Sequence, residues 1–308
     1  MSQLSPRPLI SVGMPVRDNA ATLDLAVRSI LAQTYDEIEL LLIDDGSTDG
    51  TLDLMRRYED PRVRVISDGE SLGLPTRLNQ AVAFASGELF ARMDGDDVSY
   101  PERFERQVAA LRKQPDLDLC GASLVVYRAG HEAIGVRRSP TDHDRITARP
   151  ATGFPMAHPT FMGRIGFFRR WPYRRAAVSM EDQDLLLRSY RDSRFGNVPE
   201  ILFGYRETEL KLSKILKARR YMALRFGQEL IRQGQPRQAV RAVAEQGAKA
   251  IYDSLAIGLH LDYRLLSHRA GSISGSEQAA WSAVLAGLGV EPSASASPAH
   301  DVELGDGG

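Results

Sequence analysis

Asp94, Asp96 and Asp97 lie within four consecutive residues, directly after an apolar segment and just before a helical pattern. Carboxylates this close repel one another unless a cation or a donor-rich ligand lies between them. Gly95 permits the tight turn that points Asp94 and Asp96 towards one position. Hard oxygen ligands in an incomplete shell suit Mg²⁺ or Mn²⁺ that is also held by substrate phosphates. The pattern predicts a divalent-metal site, against the alternative of a solvated acidic turn that caps the next helix.

A second acidic cluster, Glu181, Asp182 and Asp184, opens a predicted helix in the motif MEDQDLLLR. The helix dipole alone favours acidic side chains at a helix N-terminus, so this cluster has a purely structural interpretation. A carboxylate near a separate metal and phosphate site could instead act as a general base. On the motif by itself, both interpretations stay open.

The motif DDGSTDG, which begins at Asp44, has part of the spacing of a calcium-binding loop. With Asp45 at position 1 of such a loop, position 12 is Arg56, where a bidentate glutamate is required. The sequence therefore excludes this type of loop. Two interpretations remain: an Asx turn with a helix cap, and an Asp45 carboxylate that accepts a hydrogen bond from a base or a ribose.

The elements that position these residues alternate between short apolar runs and helical patterns. The predicted strands are segments 9–16, 39–45, 62–67 and 88–94. This succession of β–α units predicts an α/β fold with a mainly parallel central sheet flanked by helices. Ligands of such sheets bind beyond the carboxyl ends of the strands. Polar clusters fall at three of these ends, 17–19, 44–45 and 94–97, so we expect them to meet at one rim.

The last third of the chain has a different character. Residues 211–241 contain nine lysines and arginines against one acidic residue, Glu229. The apolar spacing predicts an amphipathic helix here and further helix to about Gly289. A solvated basic face is the simplest interpretation, and a peripheral contact with a membrane surface is the sharper one. Residues 291–308 have the composition of a disordered tail.

Composition excludes several functional classes. The 308 residues are 43% hydrophobic, which suffices for a packed core, and the net charge of −1 gives no field directed at nucleic acid. The single cysteine, Cys120, cannot form an intrachain disulfide. The sequence has no apolar signal region at its start and no run near the ~18 apolar residues of a membrane span. We expect a cytoplasmic protein, or one bound peripherally at the inner face of the membrane.

Taken in order, the motifs resemble the family 2 glycosyltransferases, which are inverting enzymes with the GT-A fold. The resemblance covers about residues 8–206. It depends on the long segments 11–51 and 73–107, followed by the motifs AHPTFM, MEDQDLLLR and NVPEILFGYR. Each motif is loose alone, whereas their order and spacing together are specific. The resemblance implies three regions: a GT-A catalytic domain at 1–206, a helical C-terminal region at 207–290, and the tail.

The resemblance also implies a role for individual residues. Asp45 matches the carboxylate that binds the nucleotide base, and Asp94 matches the one that approaches the ribose. Asp96 matches the ligand of the divalent metal, Mg²⁺ or Mn²⁺, that bridges the diphosphate. Asp182 matches the general base. The residues expected to contact the nucleotide sugar are Pro15, Val16, Asp18, Asp45, Asn79, Asp94 and Gly95.

The implied reaction moves a sugar from a nucleoside diphosphate donor, most simply a UDP sugar, to a hydroxyl group of a saccharide or lipid-linked acceptor. His158 and Glu181 are candidates for contacts with the acceptor or the phosphates. The expected pathway is the synthesis of cell-envelope polysaccharide, exopolysaccharide or another glycoconjugate.

Two other interpretations share parts of this pattern. A sugar nucleotidyltransferase would open with a Gly-rich loop followed by a basic residue, and the segment PVRDNAAT lacks such a loop. A non-catalytic protein that binds nucleotide sugars would have lost the metal-binding or base carboxylates, and both are present. The sequence therefore favours the enzyme.

Overall fold

The first four strands form a parallel sheet. The computed structural model describes residues 4–207, 212–258 and 270–290. In chain order, this part contains β1 (Ile10–Val16), α1 (Leu23–Leu31), β2 (Ile38–Asp44), α2 (Thr51–Met55), β3 (Val63–Ile66), α3 (Leu74–Phe84) and β4 (Leu89–Arg92). The strand order is β3-β2-β1-β4, and all three pairings are parallel. The apolar runs are buried on both faces because helices cover both sides of the sheet.

The remaining strands make the sheet mixed. They are β5 (Val98–Ser99), β6 (Leu117–Tyr127), β7 (Ala133–Arg137), β8 (Met162–Arg164) and β9 (Arg194–Arg206). The short β8 runs antiparallel between β4 and β6, while β6 and β9 are parallel. The predicted α/β sheet flanked by helices is confirmed, but only its first half is wholly parallel. A strand of three residues such as β8 is too short to show a period in the sequence.

Helices follow in the second half and in the C-terminal region. They are α4 (Arg103–Lys113), α5 (His143–Thr147), α6 (Ile165–Arg170), α7 (Glu181–Ser189), α8 (Leu212–Tyr221), α9 (Gly227–Arg232), α10 (Pro236–Gly258) and α11 (Gly275–Gly287). The single amphipathic helix expected over 211–241 is broken in two places. A π-helical turn, Met222–Phe226, joins α8 to α9, and a turn at Gly234, whose φ is +74°, separates α9 from α10. The expected further helix is present in α10 and α11.

The C-terminal helix α11 packs on the sheet. Trp281 is buried in the same apolar cluster as β1, β6 and β9, and a Cβ atom on Gly204 would lie 2.4 Å from its ring. The indole Nε1 donates to the carbonyl of His131 at 2.8 Å. The last described helix therefore closes the core of the sheet, while the division into regions at residue 206 stays a prediction. The predicted tail, 291–308, lies outside the described residues.

Among residues 4–207, 212–258 and 270–290, no helix combines the length and the apolar composition that a membrane span requires.

Candidate active site

The loops that follow β1 and β2 are bonded to each other at the rim of the sheet. The backbone N–H of Asp45 donates to the carbonyl of Val16 at 2.8 Å. Asp18 accepts a hydrogen bond from Thr48 N–H at 2.8 Å and has a φ of +52°, a left-handed conformation that Asp tolerates better than most residues. Pro15 and Val16 end β1 beside these loops and are buried. The predicted meeting of the strand ends is therefore observed here.

Asp45 is a buried carboxylate that organises the loop before α3. It accepts hydrogen bonds from the backbone N–H groups of Leu72 and Gly73, at 2.7 and 3.0 Å, and from Arg77 Nε at 2.9 Å. The Arg77 side chain is fully buried and also pairs with Asp68 at 2.6 Å. Sequence reasoning did not identify Arg77. The predicted contact of Asp45 with the nucleotide base stays a prediction, and its observed partners fix the carboxylate in place.

The three acids after β4, which we call the acidic turn (Asp94, Asp96 and Asp97), have carboxylate oxygens within 4.8 Å of one another. Backbone contacts hold the turn: Tyr127 Oη donates to the carbonyl of Asp96 at 2.7 Å, and Arg206 N–H donates to Asp97 Oδ1 at 2.8 Å. Asp97 Oδ2 is buried without a hydrogen-bond partner among the described residues.

Gly95 is required at the centre of the acidic turn because the turn packs closely on β1. A Cβ atom on Gly95 would lie 2.6 Å from Val16 Cγ1. Thr22 Oγ1 donates to the carbonyl of Gly95 at 2.8 Å and holds the turn from the side of α1. Val16 and Gly95, which are both predicted to contact the nucleotide sugar, are thus brought together by packing.

The electrostatics of the acidic turn favour a cation. Burial, followed by the charge of Asp94, raises the pKa of Asp96 to about 6. Burial and the charges of Asp94 and Asp96 raise the pKa of Asp97 well above its ordinary value. A divalent ion would remove both the repulsion and the unpaired buried oxygen, and carboxylate oxygens are the ligands that Mg²⁺ and Mn²⁺ prefer. The acidic turn therefore fits such an ion.

Arg92 is a buried cation that sequence reasoning missed. It is only 3% exposed, and its Nη2 donates to Asp94 Oδ1 at 2.6 Å. Its Nε and Nη1 are buried without a partner among the described residues. The available signal was a single charged residue inside the apolar run LFARM. Arg92 also acts electrostatically on the start of α7, where burial raises the pKa values of Glu181 and Asp182 and the charge of Arg92 partly opposes that rise.

Glu181 and Asp182 form an acid pair at the start of α7. Burial, and next the charge of Asp182, raises the pKa of Glu181 to about 7, and Glu181 Oε2 has no partner among the described residues. Burial also raises the pKa of Asp182, although Gln183 Nε2 donates to its Oδ2 at 3.1 Å. A carboxylate with a raised pKa and few donors is suited to accept a proton.

Asp184, the third acid of the motif, has a structural role. It accepts hydrogen bonds from Arg188 Nε at 2.7 Å and from Tyr221 Oη at 3.0 Å. The bond from Tyr221 ties α7 to α8, and the one from Arg188 lies within α7. The geometry thus separates Asp184 from the other two acids, which the motif alone could not do.

Two further predicted residues converge on Tyr173, which the sequence did not indicate. His158 Nε2 lies 3.1 Å from Tyr173 Oη, and His158 Nδ1 lies 3.9 Å from Glu181 Oε1. Burial, and secondarily the Arg92 charge, holds the pKa of His158 well below its ordinary value, so this imidazole is neutral. Asn79 Nδ2 donates to the carbonyl of Tyr173 at 2.8 Å, and Asn79 Oδ1 accepts from the N–H of Tyr173 at 2.9 Å. Asn79 and His158 therefore hold Tyr173, which lies within electrostatic range of Arg92, the acid pair and Asp94.

Comparison with known proteins agrees with this architecture. The family model described as glycosyl transferase family 2 matches residues 11–170. A Bacillus subtilis (strain 168) protein named as a glycosyltransferase, EpsE, is 36% identical over 211 residues, which cover 65% of this chain and 73% of EpsE.

Two solved structures share the fold. TarS 1–349 of S. aureus in complex with UDP superposes with a TM-score of 0.61 at 18% identity, over 91% of this chain and 80% of that one. The mannosyltransferase PcManGT of Pyrobaculum calidifontis, in complex with GDP-Man and Mn²⁺, gives a TM-score of 0.52 at 18% identity, over 92% and 89%. With the family match over more than half of the sequence, the chain belongs to glycosyl transferase family 2.

Proposed function

We propose that the protein is a metal-dependent, inverting glycosyltransferase that uses a nucleoside diphosphate sugar, with UDP as the preferred nucleotide. The observation that carries this proposal is the placement of Arg92 between two acid groups. It bonds Asp94 of the acidic turn and acts electrostatically on Glu181 and Asp182. A metal-binding group and an acid pair suited to proton transfer therefore both lie within electrostatic range of one buried cation.

Asp96 would hold Mg²⁺ or Mn²⁺, supported by Asp94 and Asp97. When bound, the ion supplies positive charge to the diphosphate as the nucleotide leaves. Support comes from the 4.8 Å cluster of carboxylates and from the Mn²⁺ in the PcManGT complex. The chain's own contribution is to hold these carboxylates in position through Tyr127, Arg206 and Arg92.

The donor would bind over the ends of β1 and β2. Pro15, Val16, Asp18 and Gly95 border this region, and the Asp45 loop closes it. The UDP in the TarS complex supports a uridine nucleotide as a ligand of this fold. Because its partners already fix Asp45, the carboxylate needs no reorganisation when a base or ribose group approaches.

Asp182 would accept the proton from the acceptor hydroxyl as that oxygen attacks the anomeric carbon of the sugar. Attack from the face opposite the leaving nucleotide, in one displacement, inverts the anomeric configuration and requires no covalent intermediate. The raised pKa of Asp182 brings its basicity closer to neutral pH, where a general base is most effective. Glu181 and His158 border the same region and are placed to contact the acceptor or the phosphates.

A screen of donors tests the proposal directly. Release of nucleotide from UDP sugars and GDP-mannose would be measured with Mn²⁺, with Mg²⁺ and with EDTA, and proton NMR would give the anomeric configuration of the product. We expect release only with a divalent ion, and an inverted product. Asp53→Ala, which removes an exposed acid on α2, is the control. Release that is insensitive to EDTA, or a retained configuration, would contradict the proposal.

A peripheral contact with an anionic membrane is a second part of the proposal. One face of α10 exposes apolar side chains, with Val240 72%, Ile251 64% and Leu255 60% exposed. Lys217 and Arg220 on α8 are exposed cations in the basic segment. Exposed apolar area combined with exposed cations is the composition of surfaces that bind anionic bilayers.

Flotation with vesicles that contain phosphatidylglycerol tests this contact. At low salt, we expect the wild type to float with the vesicles and Lys217→Glu/Arg220→Glu to float much less. Neutral phosphatidylcholine vesicles are the control. A wild type that binds neither kind of vesicle would leave the basic segment as a solvated face.

A further inference from the structure

A large open cavity reaches α7 at Gln183, the residue that follows the acid pair. It has a volume of about 700 Å³ and is bordered by α5 and the segment after it, by the π-helical turn and by α10. Gln183, the neighbour of Asp182, forms part of its wall. Met222, at the start of the π-helical turn, forms another part, and π-helical turns occur frequently at functional sites.

Gln183 connects this cavity to the proposed base. Its Oε1 accepts from Phe154 N–H at 2.8 Å, while its Nε2 donates to the carbonyl of Phe154 and to Asp182 Oδ2, both at 3.1 Å. A Cβ atom on Gly153, whose φ is +112°, would lie 2.9 Å from Gln183 Oε1. The cavity wall is therefore built closely against the side chain that orients Asp182.

The charges around this cavity have one sign. Arg145, Arg149 and Lys249 line it, and no Asp or Glu among the described residues does. Arg145 is 3.5 Å from Asp142 and so has an acidic partner. The side chains of Arg149 and Lys249 have neither an ion pair nor a hydrogen bond within the described part of the chain. Two unneutralised cations from separate elements thus border one cavity.

A neighbouring cavity is also lined by arginines, but its arginines already have acidic partners. It has a volume of about 580 Å³, shares Phe154 and Pro155 with the first, and is lined by Arg137 and Arg138. Both arginines are paired, Arg137 with Glu207 at 2.9 Å and Arg138 with Glu277 at 2.8 Å. An anion would have to compete with these carboxylates there, whereas nothing described competes for Arg149 and Lys249.

We propose that the first cavity binds a phosphate or diphosphate group of the acceptor, so that the acceptor is a phosphorylated sugar or a lipid diphosphate sugar. Arg149 offers a planar set of donors that matches phosphate oxygens, and Lys249 adds a compact charge. Gln183 both lines the cavity and bonds Asp182, so a phosphate held there would be one side chain away from the base. The inference rests on the proposed function, because it takes Asp182 as the base.

Binding measured with the donor site filled tests the inference. Calorimetry in saturating UDP and Mg²⁺ would compare geranyl diphosphate, inorganic phosphate and neutral geraniol as probes. We expect the wild type to bind geranyl diphosphate at least 10-fold more tightly than geraniol, since a charge-assisted contact is worth roughly this factor. Arg149→Ala and Lys249→Ala should each remove about 10-fold of that affinity, again the size of one charge-assisted contact. Arg241→Ala, a cation of α10 paired with Glu245, should remove none.

The outcomes distinguish a failure of this inference from a failure of the proposed function. Binding of inorganic phosphate as strong as that of geranyl diphosphate assigns the site to the phosphate alone, and weaker binding assigns it to a lipid diphosphate. Equal affinity for geraniol and geranyl diphosphate, no binding of either anion, or no loss in both cavity variants overturns the inference. The protein is first titrated with UDP in Mg²⁺ to establish saturation, and failure to bind UDP in that titration would instead contradict the proposed function.

Discussion

The acidic turn and the acid pair of α7 are both buried carboxylate groups, yet the chain treats them differently. The acidic turn is fixed by donors from three directions, through Arg92, Tyr127 and Arg206. The acid pair receives one described side-chain hydrogen bond, from Gln183 to Asp182, and leaves Glu181 Oε2 unpaired.

This difference suits the acidic turn to binding a cation and the acid pair to transferring a proton. Mutual repulsion adds to burial in the acidic turn, and a cation relieves it without any proton transfer. The causes of the raised pKa values are the same in the acid pair, with burial first and, for Glu181, the charge of Asp182 second. Because two carboxylates adjoin there, rather than the three that could surround one ion in the acidic turn, protonation is the natural way to relieve the strain on the pair. The first group is thus built for a metal and the second for acid–base chemistry.

The strongest test of this contrast removes the proton acceptor. Asp182→Asn preserves the shape of the side chain, so donor and metal should bind as before while the transfer rate falls by roughly 10²–10⁴-fold, the usual contribution of a positioned base. Single-turnover rates and donor affinity by calorimetry measure the two effects separately.

Asp184→Asn is the matched variant, with folding checked by thermal melting. Because Asp184 bonds Arg188 and Tyr221, its amide should lower stability more than rate. If Asp184→Asn folds but is inactive and Asp182→Asn is active, the roles of the two acids are exchanged.

Removing the proposed metal ligand, Asp96, should change how transfer depends on the divalent ion. Asp96→Ala should lower transfer by roughly 10²–10³-fold, the scale of losing one preorganised electrostatic contact, and should weaken the response to added Mn²⁺. Activity titrated against Mn²⁺ for the variant, the wild type and Asp53→Ala gives the comparison. Wild-type activity of Asp96→Ala at every Mn²⁺ concentration would place the metal elsewhere.

The acid pair should make stability depend on pH. Folding raises the pKa of Glu181 from its ordinary value of 4.5 to about 7, so the folded state binds more protons than the unfolded state between these values. The free energy of unfolding should therefore fall as pH rises through this range, by roughly 3 kcal/mol at most.

Urea unfolding of the wild type, Glu181→Gln and the exposed-site control Glu59→Gln at pH 5.5 and pH 8 measures this effect. The stability of Glu181→Gln relative to the wild type should increase from pH 5.5 to pH 8. A pH-independent difference between them would show that Glu181 titrates normally in the folded protein.

The smallest expected effect concerns the donor loop. Asp45→Asn should weaken donor binding by roughly 10-fold and leave the rate at saturation nearly unchanged, because a base or ribose contact is present in ground and transition states alike. Asp68→Asn removes the other carboxylate on Arg77 and serves as the comparison. An unchanged affinity in Asp45→Asn excludes Asp45 from the pocket, and an equal loss in both variants assigns it to supporting the loop.

Local pattern was enough to predict much of this protein. The β–α alternation, the position of the acidic turn after β4 and the acidic start of α7 follow from apolar periodicity and from residue chemistry over short distances. The family followed from the order of these motifs. These features are local, and so one sequence displays them.

Tertiary structure decided the rest, because contacts between distant segments have no local pattern. The three-residue β8 makes the sheet mixed, Trp281 of α11 packs on Gly204, and Arg77 fixes Asp45 from 32 positions away. The sequence placed three acids at the start of α7, and only their packing against Arg92, Gln183 and Arg188 separated the two candidates for proton transfer from the structural one.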